Sequence, residues 1–287
     1  MKLTSRLQQI VLVIIVFIVF SPTFFNDFQT SWDDQWMLLE QPFIIYFSWS
    51  DLWYHLFNFY HSQFSPVVTV FYLVIYKLAF NPLAFHAASL FVHAANVLLV
   101  FALILKLVSK IKPRWKQNRI NWYGAIVALI FAVHPLQVES VAWISAIKTL
   151  LYSFFFLAGM LFYLKFIEHR NWYWFVIVIL CYLLAFGSKE QAIIFPLNIV
   201  AIDWILGRYK GVLFTLSNIR TSAFIEKIPF FLLAGFMWYF SLQNNLGALN
   251  SSNFSLFQRS MFGMSSFMDY IFRFLAPVKL FYLYFSL

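Results

Sequence analysis

The sequence predicts an all-α polytopic membrane protein, and three observations carry that expectation. The 287 residues are 62% hydrophobic and only 11% charged, well under the roughly 25% charge of soluble domains. Apolar runs recur along nearly the whole chain at lengths suited to membrane helices. The basic residues behind the net charge of +9 gather in short segments between those runs. That pattern points to cytoplasmic anchoring at a lipid bilayer and not to nucleic acid. A closed outer-membrane barrel would show short alternating segments instead. Cys181 is the single cysteine and lies inside an apolar run, so no internal disulfide can form.

Taken in order, the first helix is expected over 7–25, behind Lys2 and Arg6. No small-residue cleavage site follows it, so it reads as an uncleaved span and not as a signal peptide. A polar and aromatic first loop runs over 26–65. Within it, 43–60 mixes Ile44, Phe47, Leu56 and Phe59 with Asp51, His55 and Asn58, which suits a helix lying along the membrane surface. The apolar run 67–80 is roughly 14 residues long, below the ~17 usually needed to cross. Further spans are expected over 85–107, 122–133, 150–166, 172–186, 192–206, 228–242 and 262–275.

Charge then orients the chain. Placing the basic segments 106–119, 165–170 and 208–227 on the side of Lys2 is consistent if 67–80 does not fully cross. Under that assignment Asp33–Asp34, His134–Glu139 and Ser188–Glu190 all emerge on the extracytoplasmic face.

Those three motifs hold the candidate chemistry. Acids are scarce, 11 against 20 lysines and arginines, so the adjacent Asp33 and Asp34 between Trp32 and Trp36 stand out. They read either as a solvated loop or as a base acting on a substrate held at headgroup level. His134-Pro-Leu-Gln-Val-Glu139 puts ionisable groups where Pro135 ends a helix. Boundary groups of this kind are costly and tend to be functional, although a polar helix-end turn is the simpler reading. Lys148 either snorkels to the interface or binds a phosphate. Lys189 and Glu190, squeezed between two spans, form a structural clamp or offer a cation to an anionic headgroup. His86, Ser89, His93 and Asn96 draw one polar stripe along a helix. Interhelical hydrogen bonding is favoured there. The two histidines stand about 10.5 Å apart along a helix axis and cannot share one metal.

The order of these motifs resembles the bacterial relatives of the transmembrane-and-tetratricopeptide-repeat O-mannosyltransferases, which are polytopic glycosyltransferases of the GT-C superfamily. The residues carrying the resemblance are Trp32-Asp-Asp-Gln-Trp36, Phe85-His86 with His93 and Asn96, His134-Pro-Leu-Gln-Val-Glu-Ser-Val-Ala-Trp-Ile-Ser145 with Lys148, and Ser188-Lys-Glu190 with Pro196 and Asp203. The late segment 270–284, with Pro277, is also similar. The resemblance covers essentially the whole chain, its most specific part being 134–145. It implies a GT-C-like transmembrane helix bundle as a single domain over 1–287, whose extracytoplasmic first loop carries interfacial helices. It also implies inverting transfer of a sugar such as mannose from a polyprenyl-phosphate donor to a protein or glycan hydroxyl, at a bacterial inner membrane. Asp33 and Asp34 would be catalytic, with Asp33 as the base. His134, Glu139, Lys148, Lys189 and Glu190 would bind the donor. No cofactor is implied and no metal is indicated. The chain departs from the family pattern at Gln35, where a third acid is usual, at Ser65, where an arginine precedes the proline, at Ser89, where asparagine is frequent, and at Ile147 and Thr149 around Lys148. A non-catalytic scaffold or lipid-binding subunit of the same shape is the competing class, but a decayed scaffold need not keep Asp33–Asp34. A transporter would show paired, interrupted spans in two similar halves, and none is seen. The sequence shows no tetratricopeptide repeats and stops inside an apolar segment, so the chain is expected to continue past Leu287.

Overall fold

The computed structural model describes residues 2–60, 63–209, 222–251 and 255–277. Parts of the basic segment 208–227 and of the late segment 270–284 therefore lie outside the described residues. Among the described residues the chain is helical, apart from an isolated bridge between Tyr60 and Gln63. The all-α membrane architecture is the expected one. Four stretches are long and apolar enough to cross a membrane, namely Ser5–Phe25, Pro82–Ile111, Ile144–His169 and Ala223–Gln243.

Helix α1, Lys2–Phe20, continues through a 3₁₀ turn at Ser21–Phe25 into the first loop. That loop holds a π-helical turn at Gln35–Leu39 and two short helices, α2 over Pro42–Ile45 and α3 over Trp49–Phe57. Pro42 opens α2, and Ser48 caps α3 by accepting from the Asp51 N–H at 3.1 Å. These two signals split the expected 43–60 helix in two. Trp49, Trp53, Tyr54 and Phe57 are exposed on α3, a face suited to the headgroup region.

Helix α4, Pro66–Leu78, is followed closely by α5, Pro82–Ile111, whose N-cap Asn81 accepts from the Ala84 N–H. Next come α6, Gln117–Val133, the short α7, Gln137–Ala142, and α8, Ile147–His169. Then follow α9, Trp172–Phe186, a 3₁₀ helix at Glu190–Ile194 running into α10, Phe195–Ile205, the short α11, Ser222–Ile225, α12, Ile228–Ser251, and α13, Leu256–Leu275. The 3₁₀ helix and α10 together reach roughly 26 Å, close to the ~30 Å hydrocarbon core.

Helix α5 is the central post, packing against α1, α6 and α8, while α8 packs along α9. One apolar core joins α1, the first loop, α4, α5 and α6. A second, aromatic core joins α8, α9, α10 and α12 through Phe156, Tyr182, Phe195 and Phe230. At Gly159 a side chain would meet the Phe195 ring at 3.1 Å, so the missing Cβ is what allows that close approach.

The two ends of the bundle differ in chemistry. At one end Lys106 and Lys110 pair with Glu168 at 3.1 and 3.0 Å. Close by, Asp203 is fully buried and accepts from Tyr163 Oη at 2.9 Å, from Arg208 at 2.8 Å and from Lys227. Arg208 also reaches Glu226 at 3.0 Å, and Arg170 pairs with the same carboxylate. These carboxylates hold Arg208 well above its ordinary range despite the opposing effect of burial. The opposite end carries the first loop.

Helix α4 stays at that opposite end. Its first turn hydrogen-bonds the end of α9, Val67 N–H to Gly187 O at 3.0 Å. Just past its last turn, Phe80 stacks on Phe28 of the first loop at 5.7 Å, and Phe28 also meets Phe85 at the start of α5. A helix of about 20 Å with both ends against first-loop-side residues does not pass to the other end. The expected span over 262–275 is a 20-residue helix carrying Arg259, Asp269 and Arg273. Like α6, α9 and α10 at the expected spans 122–133, 172–186 and 192–206, it is not among the four stretches long and apolar enough to cross.

Candidate functional site

The site lies where the first loop meets the α7–α8 turn and the start of the Glu190–Ile194 helix. Asp33 and Asp34 are neighbours in sequence but face different surroundings. Asp34 is fully buried. Its Oδ2 accepts the Gln29 N–H at 2.9 Å, and its Oδ1 accepts both the Ser145 N–H at 2.9 Å and the Ser145 hydroxyl. Three donors, one from the same loop and two from the distant Ser145, satisfy this carboxylate internally. Asp34 is thus turned inward, while Asp33 faces outward. The Asp33 side chain is 30% exposed, with Oδ2 3.9 Å from Lys148 Nζ. Its other oxygen accepts from Trp36 Nε1 at 3.3 Å.

Lys148 sits in the first turn of α8 and donates to Gln63 Oε1 at 3.2 Å. Lys189 N-caps the Glu190–Ile194 helix and donates to Thr149 Oγ1 at 2.9 Å. The two lysines repel each other electrostatically, and Glu139 of α7 is an anion that acts on both. Burial lowers the Lys189 ammonium below the ordinary lysine range; Lys148 adds to that effect and Glu139 opposes it. Two part-buried cations beside the half-buried Asp33 and the exposed Glu139 make a cluster suited to an anion next to a proton acceptor.

The turn closes tightly here. A side chain at Gly187 would meet Val67 Cγ2 at 3.1 Å and Pro66 Cγ at 3.3 Å, so α4 and the end of α9 approach through this residue. Trp32 packs edge-on against Trp143 at 6.4 Å, which ties the rim of the first loop to the α7 segment.

Of the residues singled out in the sequence, Asp33, Glu139, Lys148 and Lys189 come together. Glu190 follows Lys189 and opens its 3₁₀ helix, half-buried. His134 points elsewhere. Its Nδ1 accepts from the Leu136 N–H at 3.2 Å, so Nε2 carries the proton and donates to Phe274 O at 3.0 Å. Both nitrogens are engaged and the ring stacks on Phe274 at 5.1 Å, so in this arrangement His134 meets α13. The α5 stripe serves packing. His93 donates to Ala132 O of α6 at 3.0 Å, and Asn96 donates to Leu150 O of α8 at 2.9 Å. Buried His86 faces Asp34 and Asp27. Among the described residues no group of three His, Cys, Asp or Glu is placed to hold a metal.

Sequence reasoning did not assign roles to Gln29, Gln63, Tyr72, Ser145 and Thr149. Tyr72 of α4 donates to Ile144 O at 3.1 Å beside Asp34. Only Ser145 lay inside a motif already marked, and nothing local distinguishes the others.

Protein O-mannosyl-transferase TMTC4 of Homo sapiens is 25% identical over 218 residues, 69% of this chain and 29% of that protein. The TMTC4 of Mus musculus is 26% identical over 179 residues, 55% of this chain and 24% of the relative. The chain is a distant relative of the protein O-mannosyl-transferases. It spans less than a third of the curated relatives it matches. No family model matches the chain, and no solved structure matches it significantly.

Proposed function

We infer that this chain is the membrane domain of a glycosyltransferase that moves a sugar such as mannose from a polyprenyl phosphate to a protein or glycan hydroxyl. The reading rests on one observation, the outward-facing Asp33 carboxylate 3.9 Å from Lys148 with Lys189 alongside. The acceptor oxygen attacks the anomeric carbon while the Asp33 carboxylate takes its proton. The bond from the anomeric carbon to the phosphate oxygen breaks with inversion. The departing polyprenyl phosphate carries the electron pair, and Lys148 and Lys189 stabilise its charge. Glu139 keeps the two ammonium groups charged without occupying the place of the phosphate. The reaction faces the extracytoplasmic side, because the site lies at the bundle end opposite the basic segments. The GT-C superfamily assignment and the bacterial inner membrane belong to this same reading.

The test is sugar transfer by the purified chain in lipid nanodiscs with a panel of polyprenyl-phosphate sugars. Asp33→Asn keeps the size and the Trp36 contact but cannot take the proton. Turnover should fall about 10²–10⁴-fold with donor binding retained. Near-parental turnover would remove Asp33 from the mechanism. No transfer by the parent with any donor of the panel would favour the non-catalytic scaffold.

A further inference from the structure

Two contacts link the first loop to the start of α8, and they are in register. Asp34 reaches Ser145, and Asp33, one residue back, reaches Lys148, three residues on. The first contact is buried and fully paired: Asp34 is 0% and Ser145 1% exposed. The second is half-open and 3.9 Å long. Charge-assisted bonds to a buried carboxylate are short and directional, whereas an ion pair of nearly 4 Å near a surface has little power to order two segments. The buried contact therefore sets the geometry of the open one.

We propose that Ser145 is a positioning residue for Asp33: its hydroxyl and N–H clip Asp34 to the α7–α8 turn, which holds the Asp33 carboxylate facing Lys148. This rests on the transfer reaction proposed above. Three features make the hydroxyl matter. Asp34 Oδ1 takes both Ser145 donors, while Oδ2 takes only the loop's own Gln29 N–H, so Ser145 supplies the whole of the described hydrogen bonding from Asp34 to the bundle. Ser145 belongs to the 3₁₀ turn Ile144–Ala146 that runs directly into α8, so the clip and Lys148 share one rigid support. Tyr72 of α4 bonds the neighbouring Ile144 carbonyl at 3.1 Å, which braces that support from a third element. If the clip loosens, the lysines stay on α8 and beside it while Asp33 moves away, so loss falls on the chemical step and spares donor binding.

The test uses the full chain in nanodiscs with Ser145→Ala, Ser145→Thr, Asp34→Asn and the Ser145→Ala/Asp34→Asn double variant. Ser145→Ala should lower kcat about ten- to hundredfold, the range for a lost hydrogen bond to a buried charge, with donor KM within about twofold. Ser145→Thr keeps the hydroxyl and should recover most of kcat. The double variant should be no slower than Asp34→Asn alone, because both changes break one contact. An arm independent of activity is amide hydrogen exchange. In Ser145→Ala, exchange over residues 27–41 should quicken about tenfold or more while exchange in α8 and α9 stays parental. Parental exchange over 27–41 would overturn the clip, as would additive losses in the double variant. A threonine variant as slow as alanine, or a loss confined to KM, would overturn the positioning role. If the parent transfers no sugar, the transferase reading fails, and the exchange arm alone decides whether the clip exists.

Discussion

Replacing Lys189 by alanine removes one of the two ammonium groups that face the leaving phosphate in the proposed reaction. Its Nζ stands 2.9 Å from Thr149 Oγ1, so the folded chain loses one hydrogen bond from a charged donor, worth about 1.5–3 kcal/mol. A charge-assisted contact to phosphate is worth about 1.5–3 kcal/mol, so donor affinity should fall roughly ten- to hundredfold. The two losses are of similar size but appear in different measurements, the first in the unfolding midpoint and the second in donor affinity. The pH profile gives a second reading. Burial and the Lys148 charge depress the Lys189 ammonium below its ordinary value of 10.5. The free chain therefore gives up that proton earlier than an exposed lysine does, whereas bound phosphate favours the protonated form. Parental donor affinity should weaken as pH rises through the depressed value, below 10.5. Lys189→Arg stays charged throughout and should move that fall to higher pH, while Lys189→Ala should flatten it. The assay is titration of the nanodisc-embedded chain with a polyprenyl-phosphate sugar across a pH series, with thermal unfolding measured on each variant. Parental affinity of Lys189→Ala at every pH would refute the phosphate role and leave Lys189 as a clamp on Thr149.

Two further expectations follow from the architecture. In a Cys181→Ser background, cysteines placed at Lys112 and Arg170 should resist a membrane-impermeant thiol reagent applied outside intact cells, and those at Asp33 and Glu139 should react. Labelling at position 112 from outside would reverse the assigned orientation. Asp203→Asn leaves the buried Lys227 and Arg208 without their main counter-charge and should destabilise the fold by about 3–5 kcal/mol, read as a lowered unfolding midpoint. Donor binding by the folded fraction should be unchanged, because this cluster lies at the end of the bundle away from Asp33; a matched loss of affinity would show that the two ends are coupled.

Much of the architecture was legible in the sequence because it depends on local quantities. Apolar run length located α1, α5, α8 and α12, which the structure shows as the four stretches able to cross a membrane. The caution over 67–80 rested on its length and on the placement of the basic segments, and α4 keeps both ends at the first-loop end of the bundle. Residue type and boundary position sufficed to pick out Asp33, Glu139, Lys148 and Lys189, since ionised groups at the edge of an apolar bundle are costly and few. The 262–275 run reads as apolar for its aromatic content, yet it carries Asp269 and Arg273, with Arg259 one turn before it on the same helix.

The sequence by itself determined the helix inventory, the end-to-end charge asymmetry and the short set of candidate residues. Only the tertiary structure decided how those candidates divide their work. Asp33 and Asp34 are equivalent as letters, and what separates them is Ser145, 111 residues away, which takes one and leaves the other open. Gln63 is set against Lys148 in the same way. His134 is met by α13, 140 residues later, whose Phe274 carbonyl takes its Nε2. Hydrophobic length and net charge act within one segment and can be read along a line. The partner of a buried polar atom is chosen by which segments pack together, because each such atom must find whatever donor or acceptor the packing brings within reach.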